Sequence, residues 1–158
     1  MDKTYDSLSG SVNLEGTTEY HNPDFGYTLF EEVVDPANPE GPRAIAMHLP
    51  ANSLSRVWQL IEPGYQERIE LLSGEASLVH CRAKTDDWTT MFLSPENPTG
   101  DGIILGEGDM FCVVTADEEA VMLSRPSKPF DISFEVGKTE HPEDALSQFV
   151  LTHVASIE

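Results

Sequence analysis

The stretch of sequence that decides the fold is QERIELLSGEASLVHCR, residues 66–82. Two sets of residues in it fall on one face by alternation: Glu67, Ile69 and Leu71 in the first half, and Ala76, Leu78 and His80 in the second. A period of two is typical of β-strands. Ser73 and Gly74 separate the halves, and glycine accepts the positive φ of a tight turn. The stretch therefore predicts a β-hairpin with its turn at Ser73-Gly74.

Short apolar groups of the same kind continue in both directions and predict about ten strands. The expected strands cover residues 27–33, 43–49, 55–62, 66–72, 75–82, 87–93, 103–105, 109–115, 120–124 and 130–136. Loops rich in Pro, Gly and Asn separate them, as in 35–42 and 94–102. Strands at such regular spacing indicate an all-β, antiparallel sandwich or barrel.

The predicted barrel spans residues 27–137 and has a different kind of segment on either side. Residues 1–26 are polar with little periodicity, and we interpret them as an N-terminal arm, either loosely ordered or packed on a second subunit. After Pro142, apolar residues recur at helical spacing. An α-helix over 138–158 is therefore predicted to pack on the barrel.

The charge of the chain excludes some partners. Its 158 residues fit one domain, and 9 Lys and Arg against 28 Asp and Glu give a net charge of −19. A field of this sign repels phosphate backbones and anionic lipids, so neither nucleic acid nor a membrane is expected as a partner. The acids form a solvated surface or, alternatively, a site for a cation. Because no signal peptide is visible and Cys81 and Cys112 lack a CxxC spacing, a cytoplasmic protein with reduced thiols is expected.

The central stretch resembles the cupin superfamily. Glu67 to Gly74 matches the E-x6-G half of the first cupin motif, and Gly108-Asp109 is similar to the GD that opens the second. The resemblance implies a jelly-roll antiparallel β-barrel. Where the family has paired histidines this chain has Leu60-Ile61-Glu62-Pro63, and the position of the second-motif histidine falls near Glu119. No metal and no cofactor are therefore expected at the usual site.

A narrower resemblance covers the same residues. Glu67 to Gly74, followed by Asp86-Asp87-Trp88, is similar to the pyrimidine/purine nucleoside phosphorylase cupins, which also lack the metal histidines. This likeness implies chemistry that is independent of a metal.

Glu67 is the first candidate catalytic residue. Alternation turns its carboxyl group into the barrel, where desolvation would raise the pKa and suit a general acid or base. The structural alternative is a carboxylate at the barrel mouth that is hydrogen-bonded to Arg56 or Arg68. Glu62 and Glu119 are ligand-binding candidates beside it, because three converging carboxylates would share protons or hold a hard divalent cation. The alternative for those two is a pair of solvated loop acids.

His80 is the second catalytic candidate, since it follows the inward set and could shuttle protons near neutral pH. The alternative is a hydrogen-bonded core histidine. Trp58, Tyr65 and Phe111 are ligand-binding candidates for a flat or sugar-like molecule, or they are simply core residues.

Three functions stay open at this point. The first is small-molecule binding in the barrel by a metal-independent isomerase, lyase or phosphorylase-like enzyme. The second is a non-catalytic binding or regulatory module, which an interior without a cavity above about 300 Å³ would favour. The third is a divalent metal site made of carboxylates. In each case a homodimer is expected, formed through an edge strand or the N-terminal arm.

Overall fold

The computed structural model describes residues 3–23, 25–85, 88–131 and 135–139, the last range as backbone only. These residues form antiparallel β-strands and no helix. The strands are β1 (Thr4–Ser7), β2 (Gly10–Asn13), β3 (Thr18–His21), β4 (Thr28–Val33), β5 (Ala44–Leu49), β6 (Val57–Leu60), β7 (Gln66–Gly74), β8 (Ala76–Cys81), β9 (Trp88–Leu93), β10 (Ile104–Gly106), β11 (Met110–Val114), β12 (Ala120–Pro126) and β13 (Glu135–Thr139).

Two sheets face each other across the main core. One has the order β10-β7-β12-β5-β4-β3 and the other β13-β6-β11-β8-β9. Side chains from the inner faces of both sheets, such as Leu71 and Leu78, belong to one buried cluster. Alternating residues on each strand supply this core, which is how the period of two in the sequence produces two packed layers.

The strand predictions are confirmed between residues 27 and 126, with strand ends shifted by one or two residues. The all-β antiparallel class is also confirmed. The last strand, expected over 130–136, is observed as β13 at Glu135–Thr139. Residues 138–139, assigned to the C-terminal helix segment, thus belong to a strand, and the rest of that predicted helix lies outside the described residues.

The predicted hairpin over residues 66–82 is wrong. Strand β7 pairs with β10 and β12 in one sheet, whereas β8 pairs with β9 and β11 in the other. The chain therefore crosses between the layers at Gly74, whose φ is +79°. A Cβ at this position would lie 1.9 Å from the carbonyl oxygen of Glu119. Glycine is required here for this close approach as well as for its positive φ.

The N-terminal segment forms strands rather than a loosely ordered arm. Strands β1 and β2 pair with each other, and β3 extends the six-stranded sheet beside β4. Val12 and Leu14 are buried in a second core cluster with outward-facing side chains of that sheet. Glu70 accepts a hydrogen bond from the backbone N–H of Leu8 at 2.8 Å. The β1–β2 pair thus packs on the outer face of the sheet.

A cluster of buried charges lies under the same pair of strands. Arg125 Nη1 donates to Glu70 Oε1 at 2.7 Å, and its Nε donates to Asp35 Oδ1 at 3.0 Å. These hydrogen bonds keep both carboxylates paired in a region of little solvent.

No helix long and apolar enough to cross a membrane is found in the part of the chain that the structure describes.

Candidate functional site

A cavity of about 250 Å³ lies between the inner faces of the two sheets. Strands β4, β5, β7 and β12 supply one wall, and β6 and β11 supply the other. The lining is mostly apolar, with three ionisable side chains and one hydroxyl. The lining residues are Leu29, Glu31, Ile45, Ala46, Met47, Arg56, Trp58, Glu67, Ile69, Phe111, Val113, Met122, Leu123, Ser124 and Phe130.

Glu67 is the carboxyl group buried in this cavity. It lies near the start of β7, opposite Leu105 on one side and Pro126 on the other, and only 3% of it is exposed. Its Oε1 accepts a hydrogen bond from the hydroxyl of Ser124. Burial raises the pKa of Glu67 above its ordinary value of 4.5, although hydrogen bonding by the hydroxyls of Ser124 and Tyr65 acts in the opposite direction. The protonated, neutral form therefore persists to higher pH than in an exposed glutamate.

Arg56 brings a positive charge to the same cavity. It lies two residues before Trp58, so an extended backbone places both side chains on the inner face. Its Nε is buried and has no hydrogen-bond partner in the part of the chain that is described. The carboxyl group of Glu67 bonds to Ser124 and not to Arg56, in contrast to the structural alternative considered above. The cavity thus contains a guanidinium with unused hydrogen-bonding capacity.

Aromatic rings form the opposite wall. The ring centroids of Trp58 and Phe111 are 5.6 Å apart, and Tyr27 packs edge-on against Trp58 at 5.7 Å. Contacts of this kind fix the rings relative to one another. Trp58 and Phe111 thus both line the cavity and offer it an apolar surface.

A surface groove adjoins the cavity. Its volume is about 590 Å³, and it shares Glu31, Ile45 and Phe130 with the cavity lining. Beyond these residues the groove includes Arg43 and Asp131, both of which are exposed. The cavity therefore has a polar mouth beside β4 and β5, with Phe130 between the apolar interior and solvent.

Tyr65 and His80 lie behind the cavity lining rather than in it. Tyr65 is fully buried, and its hydroxyl acts on the carboxyl group of Glu67. His80 is opposite Phe111 on the neighbouring strand, and its ring lies 3.0 Å from the hydroxyl of Thr89. Burial is the main cause that lowers the pKa of His80. This arrangement is that of a hydrogen-bonded core histidine.

Glu62 and Glu119, the two other carboxylates expected beside Glu67, are not among the residues that line the cavity. Glu62 follows β6 and lies 3.4 Å from Lys128 Nζ at the surface. Glu119 is exposed and lies 3.1 Å from His48 Nε2. The residue after it, Ala120, is opposite Gly74. Gly74 is seven residues from Glu67 along β7, which is roughly 23 Å at the rise of a strand.

The three carboxylates of the proposed metal site consequently lie apart. Across the described ranges, no group of three or more His, Cys, Asp or Glu side chains could hold a metal ion. A carboxylate metal site required Glu62, Glu67 and Glu119 to lie close together, and the structure does not place them so.

The sequence analysis missed Ser124 and Arg56 as cavity residues. Ser124 ends the apolar run Val121-Met122-Leu123, where alternation with Met122 places it on the inner face. A hydroxyl at an inward position of an apolar strand is a usable signal, because a buried polar group needs a partner. Arg56 was considered only as a partner of Glu67, although its spacing from Trp58 places it inside.

The arrangement of the two antiparallel sheets matches that of solved cupin structures, so the chain has a cupin fold, as the resemblance in the sequence implied. More than two hundred solved chains have a matching structure. No model of a known protein family matches the sequence, and no curated protein matches it.

Three of the similar structures illustrate the likeness. The capsular polysaccharide assembling protein CapF from Staphylococcus aureus has 10% identity and a TM-score of 0.59, over 78% of this chain and 34% of CapF. A Lactobacillus farciminis oxalate decarboxylase, solved as a formate complex, has 9% identity and a TM-score of 0.59, over 81% of this chain and 35% of that one. The Drosophila melanogaster CENP-C cupin domain has 12% identity and a TM-score of 0.51, over 71% of each chain.

The chain spans about a third of the length of CapF and of the decarboxylase, so the likeness concerns their fold. The similarity to nucleoside phosphorylase cupins, the homodimer, the cytoplasmic location and the exclusion of nucleic acid stay predictions.

Proposed function

We propose that this protein binds a small molecule in the cavity between its sheets and that Glu67 is the proton donor or acceptor of that site. The observation that carries the proposal is a glutamic acid, 3% exposed, in a cavity that adjoins a surface groove. Leaving this carboxyl group in an apolar interior costs stability, and perturbed groups of this kind in a cavity are frequent at functional sites.

Proton transfer is the chemistry that such a site supports. A carboxyl group with a raised pKa is partly protonated closer to neutral pH, where it can donate a proton and take one back. Ser124 fixes the orientation of the carboxyl group through its hydrogen bond. These features support a metal-independent isomerase, lyase or phosphorylase-like reaction of a ligand lying beside Glu67.

A second candidate is a binding module that performs no reaction. Its support is the cavity volume of about 250 Å³, below the roughly 300 Å³ at which typical ligand sites begin. A further argument is that His80 lies outside the lining, so the second acid–base residue expected from the sequence is absent from the described cavity wall. The two candidates share the ligand site and differ only in whether the ligand changes.

A thermal-shift screen tests the shared site. Nucleosides, sugars, organic acids and divalent metals are added to the wild type and to Val113→Phe, which places a larger side chain in the cavity. A ligand of the cavity raises the melting temperature of the wild type and has less effect on the variant, because stabilisation follows the free energy of binding. Equal shifts in both proteins, or no shift with any compound, would contradict the proposal.

Conversion of the ligand separates the two candidates. Any stabilising compound is incubated with the wild type, with Glu67→Gln and with Glu107→Gln, a control at an exposed loop carboxylate. An enzyme converts the compound, as followed by NMR, in the wild type and the control but not in Glu67→Gln. Binding without conversion in all three proteins favours the binding module.

A further inference from the structure

We infer that the cavity is selective for a compact aromatic carboxylate, whose carboxylate group pairs with Arg56 and whose ring lies against Trp58 and Phe111. The inference rests on the proposed function, because it names the class of ligand for that same cavity. Three properties of the described residues support it: an unsatisfied guanidinium, the size and apolar walls of the cavity, and the second polar group at Glu67.

The guanidinium of Arg56 has hydrogen-bonding capacity that no described residue uses. Arg56 is half-buried, and its Nε is buried with no hydrogen bond among the described residues. A buried donor without a partner is costly, and the carboxyl group of Glu67, which also lines the cavity, bonds to Ser124 instead. An anion entering the cavity would supply what is missing. A planar carboxylate is the best match, since guanidinium and carboxylate form two parallel hydrogen bonds.

The size of the cavity limits what accompanies that carboxylate. About 250 Å³ equals the volume of about eight water molecules, and an apolar cavity of about 150 Å³ is known to hold benzene. One aromatic ring with a short charged substituent therefore fits, whereas a nucleotide or a disaccharide does not. Ile69, Val113 and Met122 offer this ring an apolar surface beside Trp58 and Phe111.

Glu67 favours the same class of ligand. In its protonated form the carboxyl group is neutral, so it does not repel an anion, and its O–H can donate to a carboxylate oxygen. The cavity then has a charged donor at Arg56 and a neutral donor at Glu67. A cationic ligand would instead be repelled by Arg56, and a wholly apolar one would leave Arg56 Nε and Glu67 Oε2 without hydrogen bonds.

The net charge of −19 and the exposed Glu31 at the mouth oppose the approach of an anion. This long-range repulsion is screened within about 8 Å at physiological ionic strength, whereas contacts inside the cavity are screened much less. The global charge therefore mainly slows association, and Arg56 determines which ligand is retained.

Benzoate and benzamide provide the test, because they have the same shape and differ in charge. Binding of both to the wild type, to Arg56→Gln and to Arg68→Gln is measured by calorimetry and thermal shift. Arg68 is exposed and lines neither the cavity nor the groove, so it serves as the control for loss of one positive charge. Benzoate is expected to bind the wild type and Arg68→Gln better than benzamide does. In Arg56→Gln the affinity for benzoate falls by about 10- to 100-fold, and that for benzamide changes little.

The outcomes separate this inference from the proposed function. Benzamide binding as well as benzoate in the wild type, or unchanged benzoate affinity in Arg56→Gln, would overturn the inference while small-molecule binding stands. If neither probe binds but another compound of the screen does so in a Val113-dependent manner, the ligand class is wrong and the site remains. If no compound binds in the cavity, both proposals fail.

Discussion

Replacement of Glu67 by glutamine should change how the stability of the protein depends on pH. The carboxyl group is 3% exposed, and burial raises its pKa above the ordinary value of 4.5. Above pH 4.5 the unfolded chain therefore releases a proton that the folded protein still holds. The contribution of this group to the free energy of unfolding is fully present below pH 4.5 and is lost as the pH rises through the raised pKa. Glutamine has a similar shape and no proton to release, so the stability of Glu67→Gln does not decrease with pH for this reason.

The size of the effect follows from a single proton. Within the pH window from 4.5 up to the raised pKa, the stability of the wild type relative to Glu67→Gln falls by up to about 1.4 kcal/mol per pH unit. In a chain of this length 1 kcal/mol corresponds to about 2–4 °C, so the melting temperatures diverge by about 3–5 °C per pH unit. Above the raised pKa the difference becomes constant.

Calorimetric melting temperatures between pH 4 and pH 9 test this prediction for the wild type, Glu67→Gln and the exposed control Glu107→Gln. Taking the difference between wild type and variant removes the contributions of the other acids, which are common to both. The expected curves diverge only for Glu67→Gln. Parallel curves for the wild type and this variant, or a wild type that gains relative stability with rising pH, would refute the argument that Glu67 is buried in the cavity.

Two further substitutions test how the sheets are held together, each by urea denaturation. Gly74→Ala should destabilise the protein by more than the roughly 1–3 kcal/mol of a strained backbone, because the new Cβ also meets the carbonyl of Glu119. The control is Gly64→Ala, since Gly64 has a similar φ of +74° with open space around it. Equal losses of stability in the two variants would contradict the role of this contact. Arg125→Ala should cost about 3–5 kcal/mol, since it leaves Glu70 a buried carboxylate without its ion pair. A loss below about 1 kcal/mol would show that this contact contributes little.

The sequence predicts the faces of the strands better than their partners. Alternation in β7 correctly places Glu67, Ile69 and Leu71 on a buried face, because side-chain direction depends only on the strand itself. The same alternation cannot tell whether β7 pairs with β8 or faces it from the other layer. Both arrangements require a glycine with positive φ at the connection. What distinguishes the crossing is the close approach of Gly74 to the backbone of Glu119. These two residues are far apart in the sequence, so local alternation does not reveal this contact.

The positions of Glu62 and Glu119 outside the cavity lining have a related cause. Glu119 was selected by counting from Gly108 along a motif, but residues counted along two strands can end at the far end of a barrel. Glu62 stands where the motif has its paired histidines, but β6 ends at Leu60 and Glu62 lies in the connection after it. Alternation could have found Ser124, whose inward position follows from Met122. A rule based on local periodicity was therefore more reliable here than a motif position carried over without its histidines.

The arrangement of Arg56 and Glu67 bears on why this interior is not filled. A core designed only for stability would either pair these two groups or replace both by apolar residues, since a buried polar atom without a hydrogen bond is destabilising. The structure does neither: Glu67 bonds to Ser124, and Arg56 Nε has no hydrogen bond among the described residues. The same interior keeps about 250 Å³ open beside rings that are fixed by their own contacts. An open volume and buried polar atoms without hydrogen bonds, here Arg56 Nε and Glu67 Oε2, both reduce stability. A ligand that fills this volume and bonds to these atoms accounts for both features.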